Sequence, residues 1–204
     1  MTTTHRRQRP KASLLALGAA GLVAGALIAL FWPRPSEFRL TVLPPGPVSP
    51  DFRLVDFDGQ PRSLADYRGQ VVVIFFGYTR CPDACPAALF KLAQVMKRLG
   101  PASAQVQVLL ITLDPQRDTL PILKSYVTDF DPRFVGLSGT EAQIDEAAAS
   151  FYVAHAKVEL ANDYAAIDHS TATYVFDTLG RRRLIGSMST RIDDFAHDIE
   201  ILTH

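Results

Sequence analysis

Two cysteines four residues apart, Cys81 and Cys85, stand in the stretch GYTRCPDACPAAL, each followed by a proline, and they are the only cysteines in a chain of 204 residues. Thiols at that spacing can form a structural bridge, cycle between dithiol and disulfide, or supply half of a metal site. A bridge over so short a loop removes little chain entropy, which leaves the redox dithiol and the metal half-site. A third group has to decide between them, and the chain offers five histidines. His5 and His204 sit near the two ends. His155 reads as a helix-terminal charge and His197 as a partly exposed residue of an amphipathic helix. His169, in YAAIDHSTATYVFD, falls in a loop just before a strand. In LDPQRDTLP, Asp114 and Asp118 follow a strand end and can border such a site; the spacing favours the plainer role, in which Asp118 or Thr119 caps a helix and Pro115 closes the strand. The basic run Arg181 to Arg183 reads as a solvated face, with docking of an acidic partner or lipid as the alternative.

The elements that must position these groups are legible from periodicity. DFRLVDFDGQPRSL reads as a hairpin turning at Asp58-Gly59, and VVVIFFGYT is a continuous apolar run suited to a strand buried on both faces. A helix follows, with Leu89, Leu92, Val95, Met96 and Leu99 at helical spacing and a stop at Gly100-Pro101. Cys85 is expected at its N-cap and Pro86 at its first position, so that the helix dipole favours a Cys85 thiolate. VQVLLITLD is a second buried strand, TLPILKSYVTDF a helix with Pro121 in its first turn, and FVGLSG a short strand. TEAQIDEAAASFYVAH reads as a helix opened by Thr140, ATYVFDTLGRRRLIG as two strands around Leu179-Gly180, and RIDDFAHDIEILTH as a closing amphipathic helix. Strands alternating with helices and ending in a hairpin make an α/β domain in the order of a thioredoxin-like fold. Both thiols then lie at the C-terminal end of a central strand, where open α/β sheets bind ligands. The loop holding His169 lies beside them, where redox thioredoxins carry a cis-proline and this chain has Ser170-Thr171.

Lys plus Arg balances Asp plus Glu at 21 each, which argues against a nucleic-acid surface. Charge is concentrated instead in residues 1–11, with four basic residues and no acid, ahead of 21 uncharged residues from Ala12 to Trp32. At 1.5 Å per residue that run spans about 31 Å, one bilayer core. It exceeds the h-region of a cleaved signal peptide and ends in Phe31-Trp32, which suits a membrane interface. The reading is a cytoplasmic basic tail (1–11), a single transmembrane anchor (12–32), a proline-rich linker (33–49) and a folded domain (50–204) outside the cytoplasm, where disulfides can form.

GYTRCPDACP, then ITLDPQRDT, then YAAIDHSTATYVFD, behind one N-terminal anchor, together resemble the Sco/SenC family of membrane-anchored copper proteins. The resemblance implies a thioredoxin-like fold in which Cys81, Cys85 and His169 bind copper as Cu(I) or Cu(II) for delivery to the binuclear copper site of cytochrome c oxidase subunit II. Asp168 matches the acidic residue before the family's histidine; Arg80 and Ala84 depart from the usual motif without removing a ligand atom. It further implies a bacterial inner-membrane protein with its domain in the periplasm, partnered there by another copper chaperone or a thioredoxin-like reductant. The ligand chemistry agrees: two soft thiolates and an imidazole suit Cu(I) and accept Cu(II), whereas zinc prefers a fourth ligand. Two other readings use the same residues, a thiol-disulfide reductase with Cys81 and Cys85 as its dithiol, and a copper or redox sensor.

Overall fold

The computed structural model describes residues 37–44, 51–159 and 165–203. The chain divides into two units, Met1–Glu37 and Phe38–His204. The expected basic tail and anchor, and the histidines at positions 5 and 204, lie outside the described residues. Among the described residues no helix is long and apolar enough to cross a membrane.

Among the described residues, ten strands and four α-helices follow in chain order: β1 (Thr41–Val42), β2 (Leu54–Asp56), β3 (Pro61–Arg62), β4 (Val71–Gly77), α1 (Ala84–Leu99), β5 (Val106–Thr112), α2 (Leu120–Thr128), β6 (Val135–Ser138), α3 (Glu141–Ser150), β7 (His155–Glu159), β8 (Ala165–His169), β9 (Thr173–Phe176), β10 (Arg182–Gly186) and α4 (Ile192–Leu202). Eight strands form one sheet in the order β1-β10-β9-β4-β5-β6-β2-β3, and β7 and β8 form a separate two-stranded ribbon. β4, β5 and β6 run parallel, and β9 returns antiparallel on the other side of β4. This is the thioredoxin-like α/β arrangement that the element order implies.

β4 is central because its sequence permits nothing else: all seven residues of VVVIFFG are buried. Each large apolar side chain so buried contributes about 1.5–3 kcal/mol of transfer free energy. The helical stripe of α1 faces the same core, with Leu89, Leu92, Val95, Met96 and Leu99 all buried, and Gly100 ends the helix at φ 56°. α1 packs against α4. The Asp58-Gly59 turn, Pro121 in the first turn of α2 and the Thr140–Gln143 capping box of α3 also form as the residue types require.

Three features depart from the sequence reading. α3 stops at Ser150 and does not run on to His155. Phe151 is its C-cap and Tyr152 takes φ 59°, while the N–H of Val153 bonds the carbonyl of Ala148 at 2.8 Å and that of Tyr152 bonds Ala149 at 3.0 Å. This is a Schellman ending, closed by a tyrosine in the left-handed position where a glycine is the usual signal. The chain released there forms β7, so His155 opens a strand. Finally, Thr41–Val42, inside the stretch whose prolines suggest a linker, pair with β10. The fully buried Asp198 of α4 holds them there, accepting from the backbone N–H groups of Arg39 at 2.8 and 3.0 Å and of Leu40 at 2.7 Å.

Candidate metal centre

At the C-terminal end of β4 the chain turns through Tyr78 to Arg80 and enters α1. The Cys81 N–H donates to the Tyr78 carbonyl at 3.3 Å. The helix starts earlier than the prolines suggest: its N-cap is Asp83, which leaves Cys85 second and Pro86 third. Pro86 is tolerated there because the first four N–H groups of a helix have no partner within it, and residue 82, whose carbonyl the ring would meet, lies outside the helix. One consequence reverses the expected thiol chemistry. Cys85 is carried into the core at 0% exposure, and burial pushes its thiol up. Burial also acts to raise Cys81, but the backbone N–H groups of Cys85, Asp83 and Ala84 outweigh it and hold that thiol below its ordinary value. The Cys85 N–H reaches the Cys81 sulfur at 3.4 Å. Both cysteines are free thiols.

Gly77, the last residue of β4, is what lets Cys85 sit so close to the sheet. A Cβ at this position would lie 2.9 Å from Cys85 Sγ and 2.9 Å from the edge of the Phe75 ring.

His169 arrives from the opposite side, as the last residue of β8 and not in a loop. Its Nδ1 lies 2.9 Å from the Ser170 carbonyl, which can only accept, so Nδ1 carries the proton. The lone pair of Nε2 is then directed at Cys85 Sγ, 3.5 Å away. Burial lowers the pKa of His169, against the opposing effects of the Ser170 bond and Asp168, and favours the neutral imidazole that a metal needs. The ring is wedged edge-on between Phe75 and Tyr78, with centroids 6.2 and 5.9 Å away. Buried Tyr78 also accepts the Ile167 N–H through its hydroxyl at 3.2 Å, tying the ribbon to the end of β4. Ligand atoms of Cys81, Cys85 and His169 all lie within 4.8 Å of one another. Two sulfurs and one nitrogen so disposed can hold a soft or borderline metal ion with room for an incoming ligand.

The neighbouring acids take other roles. Asp168 alternates to the other face of β8, where it is exposed and opposite Ala156. Asp114 is ion-paired with Arg117. Asp118 does not cap α2, whose N-cap is Thr119 without a side-chain bond. Its fully buried carboxylate instead accepts from the Thr79 N–H (3.0 Å), the Thr79 hydroxyl (2.5 Å) and the Thr112 hydroxyl (2.6 Å). It thereby fixes the chain two residues before Cys81. Of the other marked residues, His197 lies on α4 and bonds its neighbour Asp198, while Arg181 and Arg183 both pair with buried Asp177. Tyr78, Gly77 and the bonding of Asp118 escape the sequence reading; an aromatic directly after a buried strand was the only available signal.

The model of the family described as SCO1/SenC matches residues 42–204. The chain belongs to the SCO1/SenC family. The mitochondrial SCO2 homologue of Bos taurus is 43% identical over 134 residues, covering 64% of this chain and 50% of that protein. The SCO1/SenC chain thus spans about half the length of the curated mitochondrial relatives it matches. Among solved structures, Bradyrhizobium japonicum ScoI with copper bound is 32% identical and superimposes with a TM-score of 0.71, over 76% of this chain and 99% of that one. BsSco, described by its disulfide switch and as a member of the Sco family of cytochrome c oxidase assembly proteins, is 21% identical with a TM-score of 0.63, over 80% and 98%. That likeness supports the fold.

Proposed function

We propose that this chain is a copper metallochaperone, anchored in a membrane through residues 12–32, that carries copper on Cys81, Cys85 and His169 and passes it to the binuclear site of cytochrome c oxidase subunit II. The carrying observation is the convergence of two thiols and a neutral imidazole, from two separate parts of the fold, within 4.8 Å. Each ligand has its own support: Cys85 the space over Gly77, Cys81 the N–H groups of the first helical turn, and His169 the Ser170 carbonyl. Copper bound in ScoI lends weight to the choice of metal. Three ligands leave the ion open to attack, so an acceptor thiolate can join and displace them one at a time.

A second reading rests on the unequal thiols. A half-exposed Cys81 below its ordinary pKa, next to a buried Cys85, is also an attacking thiol and its resolving partner, as a reductase of the subunit's copper-ligand cysteines would need. One experiment separates the two. The reduced full-length chain is expected to bind one copper per chain, with Cys81→Ser and Cys85→Ser abolishing tight binding and His169→Ala weakening it while leaving the dithiol able to oxidise. In cells lacking the chain, His169→Ala should then fail to restore oxidase activity. Full restoration by His169→Ala would support the reductase and reject the chaperone.

A further inference from the structure

His155 stands directly across the β7–β8 ribbon from His169. Opposed residues of an antiparallel pair share a face, with Cβ atoms about 4.5–5.5 Å apart. The two rings nonetheless point apart. His169 turns its Nε2 to Cys85, and His155 turns its Nε2 to Asp145 of α3 at 3.0 Å. A carboxylate can only accept, so in the neutral ring Nε2 of His155 carries the proton towards Asp145 and the lone pair lies on Nδ1. That nitrogen has no partner among the described residues. Both imidazoles line one open groove of about 380 Å³, together with Ala154, Ala156, Asp168 and Ser170. Neither cysteine borders it. The groove therefore sets His155 beside His169, whose Nε2 faces Cys85.

We propose that His155 is a relay ligand for copper, a transient one-nitrogen site on the path into and out of the three-ligand centre. The proposal rests on the copper reading above and assigns that reading its route. The transfer is a ligand exchange without change of oxidation state. Cu(II) leaves the Nδ1 lone pair of His155 for the Nε2 lone pair of His169, and the two cysteine thiols release two protons to water as they become its sulfur ligands. Asp145 serves as a positioning residue by fixing the tautomer.

The test follows the growth of the thiolate-to-Cu(II) absorption band in the reduced full-length chain after mixing with the glycine complex of Cu(II). His155→Ala is expected to slow loading at least about fivefold while reaching the parental end-point spectrum and affinity. Lys157→Ala cuts the other ion pair between β7 and α3, to Glu141 at 2.6 Å, without touching an imidazole, and should load at the parental rate. In a chain carrying Cys81→Ser, Cys85→Ser and His169→Ala, adding His155→Ala should remove a nitrogen coupling from the electron paramagnetic resonance of bound Cu(II). Parental loading by His155→Ala, or equal slowing by Lys157→Ala, overturns the relay and leaves the copper centre standing. A parent that never develops the band overturns both.

Discussion

Replacing Gly77 by alanine adds one methyl group at the most crowded point of the proposed copper centre. Gly77 has no unusual backbone demand, so the new Cβ can be tolerated locally; what it meets is Cys85 Sγ at 2.9 Å and the Phe75 ring at 2.9 Å. Ordinary contact begins at 3.4 Å, so the sulfur must retreat by at least about 0.5 Å, which is as large as the whole positional tolerance of a functional constellation. Overpacking of this kind costs about 1–3 kcal/mol. In the empty protein Cys85 can relieve much of it by rotating its side chain away from His169. Copper has to bring the sulfur back, so most of the strain reappears in binding. Gly77→Ala is therefore expected to lower copper affinity about 5- to 150-fold while costing the empty, reduced chain only about 1 kcal/mol of stability. Competition titration against a copper chelator reads the first quantity, and urea denaturation the second. A variant with parental affinity would mean that Cys85 Sγ does not pack over Gly77, and the site as described would fall with it.

Two further outcomes follow from the same geometry. Asp118→Asn leaves one acceptor oxygen to meet three donors, one of which, the Thr79 N–H, cannot rotate away; it should cost about 1–3 kcal/mol and weaken copper binding, and an unchanged urea midpoint would refute this account of the buried carboxylate. Although burial acts to raise Cys81, its neighbouring N–H groups hold it below the ordinary thiol range, whereas burial raises Cys85; a small alkylating reagent should label Cys81 first, faster as pH rises towards its depressed pKa and the thiolate fraction grows, and peptide mapping that finds Cys85 labelled first would contradict it.

The strands and helices that bury most surface are also the ones that can be read directly. β4 and β5 are continuous apolar runs, and the α1 stripe follows helical spacing, so burial and sequence carry the same signal. The ribbon that carries His169 is different. Of its described side chains only Ile167 is buried, so neither strand shows the alternation that marks a half-buried sheet. The Tyr152 ending hides the close of α3 for a different reason, since the left-handed position falls on an exposed tyrosine between buried Phe151 and Val153 and no glycine announces it. The three candidate ligands were legible because cysteine and histidine are chemically rare choices. Their supports were not, since a tyrosine hydroxyl, a buried carboxylate and a missing Cβ acquire roles only when β4, β5 and the ribbon are brought together.

The ribbon's separation from the main sheet would give a bound ion a mechanical role. Cys85 and His169 are 84 residues apart, so an ion held between them closes a long loop of chain, as a removable staple would. By the chain-entropy argument a tie of that length is equivalent to on the order of 4–5 kcal/mol if it survives unfolding. In the proposed chaperone, delivery unfastens it. The empty chain is then expected to be looser than the loaded one and easier for a protease to open. Carrier lifetime is therefore expected to track copper supply, with faster digestion of the empty chain as its signature, so that a cell short of the metal would also hold fewer of the molecules that distribute it.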